Sequence, residues 1–329
     1  MSTFLATLSP MLTLFLCMAI GFGAGKANLL PETAGKTLAK CEAWIFYPAL
    51  CFMTMLRFCT LDTLTTHATN ILIATVSIAC AILISFVLIG FFTKKGDPER
   101  GVYRYALTFA NSGYLGDPIV LALFGESILS YYKLFSLPLS IACYTWGVGL
   151  LMPHSGKRTD ALRRIFNPPT VATLLGLALG LLGVGPHLPG FLLSTLDSLK
   201  ACMGPVGMLL AGLTIAKYKF LPMLKNVKVY AATFLRLLLI PAIIISILYG
   251  VKTLGNLTLG LSVGNDVLFL ALFTVATPLG LNTVIFPEAY NGNPQTGAGM
   301  TLISHTLCVI TIPLVYALMT AIFGVPFQA

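Results

Sequence analysis

Two segments of this chain set polar, turn-forming residues in the middle of long apolar runs. The first reads FANSGYLGDPIV and gathers Asn111, Ser112, Gly113, Gly116, Asp117 and Pro118. The second reads FTVATPLGLNTVIF and holds Thr277, Pro278, Gly280 and Asn282. Proline removes a backbone donor and clashes with the preceding turn, while glycine loosens it, so each segment predicts a helix opened in mid-run. Inside a bilayer, an opened helix must satisfy its freed N–H and C=O groups from protein, water or substrate. Two half-helix N-termini that converge there present positive dipole ends and free amides to an anion. A proline kink is the plainer alternative, and it accounts for one such segment more easily than for two in matching places.

Ionisable residues inside apolar runs are the next candidates. Asp117 stands beside Pro118 in the first opening. A carboxylate there is costly to ionise without a partner, so it reads as a carrier of a coupling proton, the partner of a bound cation, or a cap on the second half-helix. Charged, it would repel a carboxylate substrate. His305 falls about 13 Å into its run by helical rise, deep enough to line a cavity. It suits proton coupling or a neutral hydrogen-bonding role. Arg236 falls about 12 Å past Lys228, where it would snorkel to one face or pair with an internal acid. Glu42 and Asp266 lie near the ends of their runs and read as interfacial. The eight cysteines form no C-x-x-C pair and no zinc-like spacing with histidine, so they read as small buried apolar residues, with no metal site and no cofactor expected.

The elements that must position these residues follow from composition. Of 329 residues, 57% are hydrophobic and 9% are Asp, Glu, Lys or Arg. Soluble domains carry about 25% charged residues, so a soluble enzyme, a nucleic-acid binder and a disordered chain are excluded. Apolar runs fall near 4–24, 37–56, 70–92, 102–124, 130–153, 168–184, 192–216, 227–250, 264–286 and 297–323. They are continuous rather than alternating, which predicts ten transmembrane helices and not a barrel. Residues 185–200 read as an interfacial segment. No cleavable signal peptide is expected, because the first basic residue is Lys26.

Basic residues give the orientation. Lys26, Lys36 and Lys40, then Lys94, Lys95, Arg100 and Arg104, then Lys157, Arg158, Arg163 and Arg164, then Lys217, Lys219, Lys225 and Lys228 fall in alternate loops. Arg57, Lys133, Lys200 and Lys252 fall in the others. That asymmetry predicts a multi-pass protein of the cytoplasmic (inner) membrane with both termini outside the cytoplasm. The net charge of +9 is then a topology signal and not a nucleic-acid patch. Ten spans divide as residues 1–153, a cytoplasmic linker 154–167, and residues 168–329. Five helices per half force the second half to be inverted, as in many secondary transporters. Pro10 and Pro168, Pro48 and Pro205, and Pro118 and Pro278 take equivalent places in equivalent spans.

These segments carry a resemblance. Asn111 to Ile119 (NSGYLGDPI), Ala276 to Asn282 (ATPLGLN), Phe286 to Pro294 (FPEAYNGNP), Ser304 to Leu314 (SHTLCVITIPL) and Phe166-Asn167-Pro168-Pro169 together resemble the auxin efflux carrier family, over nearly the whole chain. That family includes bacterial carriers of the malonate and malate type and the PIN-type auxin exporters. The resemblance implies an all-α, ten-helix 5+5 inverted repeat similar to the bile-acid–sodium symporters, with broken crossover helices four and nine. It implies a scaffold of helices 1, 2, 6 and 7, and a transport domain of helices 3–5 and 8–10 that moves like an elevator. It further implies a small organic anion, a mono- or dicarboxylate, bound at the crossover, and often a homodimer. By position it nominates Asn111, Ser112, Gly113, Pro278 and Asn282 for the substrate, with Asp117, Pro118 and Thr277 in the same two openings. Asp117 stands where the family usually has an apolar residue, and His305 where Ser or Thr is common, so one or both are expected to titrate during transport. Proton coupling is the first expectation and sodium-coupled symport of the bile-acid type the alternative. A ligand-sensing receptor is a further reading. An intramembrane aspartyl protease using Asp117 and Asp266 is disfavoured, since Tyr114-Leu115-Gly116-Asp117 lacks the first glycine of G-x-G-D.

Overall fold

The computed structural model describes residues 2–152, 166–219, 224–260 and 263–327, and over these the chain is helical with no β-strand. Of the central linker only Phe166 and Asn167 are among them, so Lys157, Arg158, Arg163 and Arg164 of the orientation argument lie outside the described residues. Helix α1 spans Ser2–Lys26. Helices α2 (Ala34–Cys41) and α3 (Tyr47–Phe58) are joined through a π-helical turn, Glu42–Phe46. Next come α4 (Leu61–Thr66), α5 (Ala68–Phe92) and α6 (Arg100–Thr108). A second π turn, Ser112–Gly116, leads into α7 (Asp117–Phe135). A third, Cys143–Gly147, joins α8 (Leu137–Ala142) to α9 (Val148–Leu151).

The remaining chain forms α10 (Pro168–Leu181), α11 (Gly190–Lys217), α12 (Val227–Phe234) and α13 (Ile240–Thr258), the last two joined by a π turn at Leu235–Leu239. It closes with α14 (Asp266–Val275), α15 (Asn282–Ala289) and α16 (Gln295–Phe323). Helix α10 starts where Asn167-Pro168 dictates: the Asn167 side chain accepts from the Thr170 amide at 3.0 Å, and proline fills the first helical position, where no amide is needed. Of residues 185–200, read as an interfacial segment, Gly185–His187 form a 3₁₀ turn and 190–200 form the first turns of α11. No helix-breaking residue separates Gly190 from the apolar run that follows, so the helix simply begins earlier.

Among the described residues, α5, α11, the continuous stretch 227–258 and α16 are long and apolar enough to cross a bilayer. The pair Ser127–Phe135 and Leu137–Leu151, bent by 52°, makes a fifth candidate. Leu12–Lys26, Pro168–Leu181 and Asp266–Val275 are shorter apolar helices. Two of the expected crossings are in pieces because the chain opens at 109–111 and 276–281.

Glycines set how closely the helices pack. A Cβ at Gly21 would lie 2.1 Å from the Leu209 carbonyl oxygen, and one at Gly212 only 2.0 Å from that of Met18. Backbones of α1 and α11 therefore touch, as small residues allow between membrane helices. Gly176 and Gly180 seat α10 against the Phe52 and Met55 carbonyls of α3 in the same way, at 2.5 and 2.7 Å.

Glu42 corrects the sequence reading. It is fully buried in the first π turn, and neither carboxyl oxygen has a partner among the described residues. Because α2 begins at Ala34, the side chain lies about 12 Å along the helix rather than at its end. Burying an unpaired carboxyl costs about 1–3 kcal/mol. Glu42→Met is therefore expected to raise the thermal unfolding midpoint in detergent, and a lower midpoint would show that the carboxyl stabilises the fold. Asp266, by contrast, is exposed as an interfacial residue would be, and accepts from the Phe327 amide at 2.8 Å.

Candidate functional site

Helices α6 and α14 both stop inside the fold, and the segments that follow them run against each other. Ala110 and Leu279 form an isolated antiparallel bridge, and the Asn111 amide donates to the Pro278 carbonyl at 2.9 Å. Backbone groups that a helix would have used internally are thereby paired across the opening, where no bilayer water could serve them. The Leu279 amide finds the Ser304 hydroxyl of α16 at 3.2 Å.

Each segment then restarts as a helix. At the first restart, the Leu115 and Gly116 amides bond back to the Asn111 carbonyl at 3.1 and 3.3 Å. Ser112, Gly113 and Tyr114 thus supply the amides of an open N-terminus. At the second, the Thr283 and Val284 amides reach the Gly280 and Leu281 carbonyls at 3.1 and 2.9 Å. Both N-termini border one cavity of about 40 Å³, lined by Asn111, Ser112, Gly113 and Tyr114 from one side and Gly280, Leu281 and Asn282 from the other. Such a space holds a carboxylate-sized group or a few waters. A Cβ at Gly113 would meet nothing within 4 Å, whereas one at Gly280 would lie 2.8 Å from the Tyr105 ring.

The two asparagines are held differently. Asn282 Nδ2 donates to the hydroxyls of Tyr47 at 2.6 Å and Tyr105 at 2.7 Å, and its Oδ1 has no partner among the described residues. Cys143 Sγ stands 3.1 Å from the Tyr105 hydroxyl and 3.6 Å from that of Tyr47. A half-turn of the amide would let both hydroxyls donate to oxygen and free the NH₂ group for an anion. Asn111 Nδ2 lies 2.9 Å from His305 Nε2, and His305 Nδ1 lies 2.8 Å from the Thr301 carbonyl. A carbonyl only accepts, so Nδ1 carries the proton and Nε2 accepts from Asn111. His305 therefore stands behind Asn111 and orients it, rather than forming part of the cavity wall.

Asp117 is on the wall; the cap position of α7 falls on Gly116, and the side-chain partner of Asp117 among the described residues is Lys133 and not a helix amide. The two form an ion pair. Sixteen residues of continuous helix would separate the two by about 24 Å. Their contact requires the chain to fold back, and it does so at Gly125, whose φ of 80° and ψ of −178° break α7. Lys133, placed by sequence in an outer loop, is instead buried and lines the cavity. The bend at Ser136-Leu137-Pro138 turns the following helix so that Ser136, Ser140, Cys143 and Tyr144 join the same wall.

Ser112, Gly113, Asp117 and the two asparagines thus meet at one cavity. Thr277, Pro278 and Pro118 do not line it; Pro278 contributes its carbonyl to the crossing and Thr277 is buried. Tyr47, Tyr105, Cys143 and Lys133 escaped the sequence reading, since aromatic and cysteine residues in apolar runs look like core. Three of the four π turns lie beside the cavity, each inserting a residue that re-aims its neighbours.

Arg236 reaches no surface and, among the described residues, meets no acid. It is fully buried in the fourth π turn and donates to the Leu107 and Thr108 carbonyls at 3.4 and 3.3 Å. Those are the last carbonyls of α6, so the guanidinium sits on the negative end of the first half-helix.

The sequence profile of a family described as membrane transport protein matches residues 6–316. The uncharacterized transporter YfdV of Escherichia coli K12 is 22% identical over 326 residues, covering 93% of this chain and 96% of its own. YfdV of Escherichia coli O157:H7 and of Shigella flexneri match to the same extent.

Proposed function

We infer that this chain, which belongs to the auxin efflux carrier family of membrane transport proteins, is a secondary carrier for a small organic anion, a mono- or dicarboxylate. Membership makes the chain a multi-pass membrane transporter, of a family that is not enzymatic. One observation carries the assignment to an organic anion. Two half-helix N-termini, two asparagine side chains and a buried lysine converge on a cavity the size of a carboxylate group. The donors an anion would meet there are the amides of the two half-helix N-termini and the Lys133 ammonium, which Asp117 holds in this structure.

The fold in this reading is ten membrane helices in two inverted sets of five, residues 1–153 and 168–329, with both termini outside the cytoplasm. The glycine-mediated contacts of α1 with α11 and of α3 with α10 support a scaffold made of helices 1, 2, 6 and 7. The helices that cross at Asn111 and Pro278 would form the mobile transport domain, sliding as an elevator. Two such chains would form the homodimer, and a proton would be the coupling ion.

Thermal unfolding of the detergent-purified protein with acetate, pyruvate, malonate and malate, each with and without sodium, tests this directly. A carboxylate that binds must raise the midpoint in proportion to its occupancy, and the same compound is expected to accumulate in proteoliposomes. If none of them shifts the midpoint, the assignment to organic anions fails. Stabilisation that depends on sodium would replace the proton with sodium.

A further inference from the structure

Two residues on the cavity wall carry charge, Asp117 and Lys133, and they neutralise each other. Their side chains are 19% and 11% exposed, so an imbalance of charge between them would be costly. A substrate carboxylate entering this space brings one negative charge. Lys133 is the cation it would meet on that wall, and Asp117 already occupies it. If the substrate displaced an ionised Asp117, the cavity would hold two carboxylates against one ammonium. If Asp117 took up a proton as it let go, the total would return to zero.

We propose that Asp117 and Lys133 form an exchange device in which the substrate carboxylate replaces Asp117 on the Lys133 ammonium while Asp117 binds one proton. The carrier then moves one proton with each monovalent carboxylate and no net charge. This deepens, and rests on, the reading of the chain as an organic-anion carrier. The balance is closed: the proton comes from the side on which the substrate enters, resides on the Asp117 carboxyl, and leaves when the ion pair re-forms.

The other titratable groups that sense Asp117 do not disturb the count. Tyr132, on its own helix, directs its hydroxyl to the Phe273 and Ser112 carbonyls at 3.1 and 3.3 Å. Tyr144 comes from the third π turn. Lys200 approaches from α11 but lies off the wall, near the half-exposed Arg57–Asp197 pair at 2.5 Å, where Asp197 opposes its charge. Gly113 leaves open space on the same wall, since a Cβ there would meet nothing within 4 Å.

Binding of potassium pyruvate and potassium malonate to wild-type protein, followed by thermal shift and by a pH dye in weakly buffered detergent solution, tests the exchange. The expected result is uptake of about one proton per pyruvate, with the apparent Kd rising roughly tenfold per pH unit at alkaline pH. Asp117→Asn is expected to bind pyruvate without proton uptake, independently of pH, and at least about tenfold more tightly than wild type near pH 8, because the competitor for Lys133 is gone. Lys133→Met is expected to bind neither anion. Pyruvate binding by wild type without proton uptake would overturn the exchange while leaving the anion reading intact, and this measurement needs no variant to fold. Retained proton uptake in Asp117→Asn, or wild-type affinity in Lys133→Met, would overturn it as well. A preference for alanine over pyruvate would give Asp117 to an ammonium group and likewise reject the exchange. Failure of wild type to bind either anion would remove the anion reading and the exchange together.

Discussion

Asn282→Ala is expected to weaken carboxylate binding and uptake by roughly tenfold to a hundredfold while leaving a folded protein. The amide is tied to two elements at once, through the Tyr47 hydroxyl of α3 and the Tyr105 hydroxyl of α6. Hydrogen bonds to a charged group contribute about 1.5–3 kcal/mol, and each 1.4 kcal/mol is about tenfold in affinity. Alanine removes the amide and leaves two buried hydroxyls to find each other or Cys143, so the fold loses little beyond that pairing. Tyr47→Phe and Tyr105→Phe keep the amide and remove one tether each, so each should cost less than the loss of Asn282. Affinities from thermal shift and initial uptake rates in proteoliposomes check the series. An Asn282→Ala protein that binds as tightly as wild type would take the asparagine out of the site.

The crossover was legible before any coordinates, because proline, glycine and asparagine in mid-run have few structural explanations. Pro118 and Pro278 marked the openings, and Asn111, Gly113 and Asn282 proved to stand around one cavity. What the sequence concealed was long-range and depended on irregular turns. Lys133 looks like a loop residue because it falls in the first residues of the apolar run near 130–153, and the reversal at Gly125 brings it back to Asp117. Tyr47, Tyr105 and Cys143 have no local signal, for an aromatic or thiol side chain in an apolar helix is ordinarily core. Glu42 and Arg236 elude spacing for different reasons: α2 starts early and so carries Glu42 away from the end of its helix, and the α6 carbonyls that receive Arg236 are distant in sequence.

The same openings make the packing behind the site unforgiving. Gly297, in the first turn of α16, has no side chain, and a Cβ built there would lie 2.1 Å from the Thr283 carbonyl oxygen and 2.5 Å from its carbon. Those are backbone atoms in the turn that begins with Asn282, so they cannot swing aside as a flexible side chain would. Gly297→Ala must push α15 away by more than an ångström, since ordinary van der Waals contact begins at about 3.4 Å. Overpacking of this kind costs about 1–3 kcal/mol. It also draws Asn282 from the two tyrosine hydroxyls, so uptake should fall further than stability alone explains. Gly250 serves as the control, since a Cβ there meets nothing within 4 Å and alanine suits a helix interior better than glycine. The expected result is a lowered midpoint and loss of most uptake for Gly297→Ala, against an unchanged or raised midpoint and normal uptake for Gly250→Ala. Wild-type stability and uptake in Gly297→Ala would mean that the half-helix carrying Asn282 yields freely, and that its position is not fixed by α16.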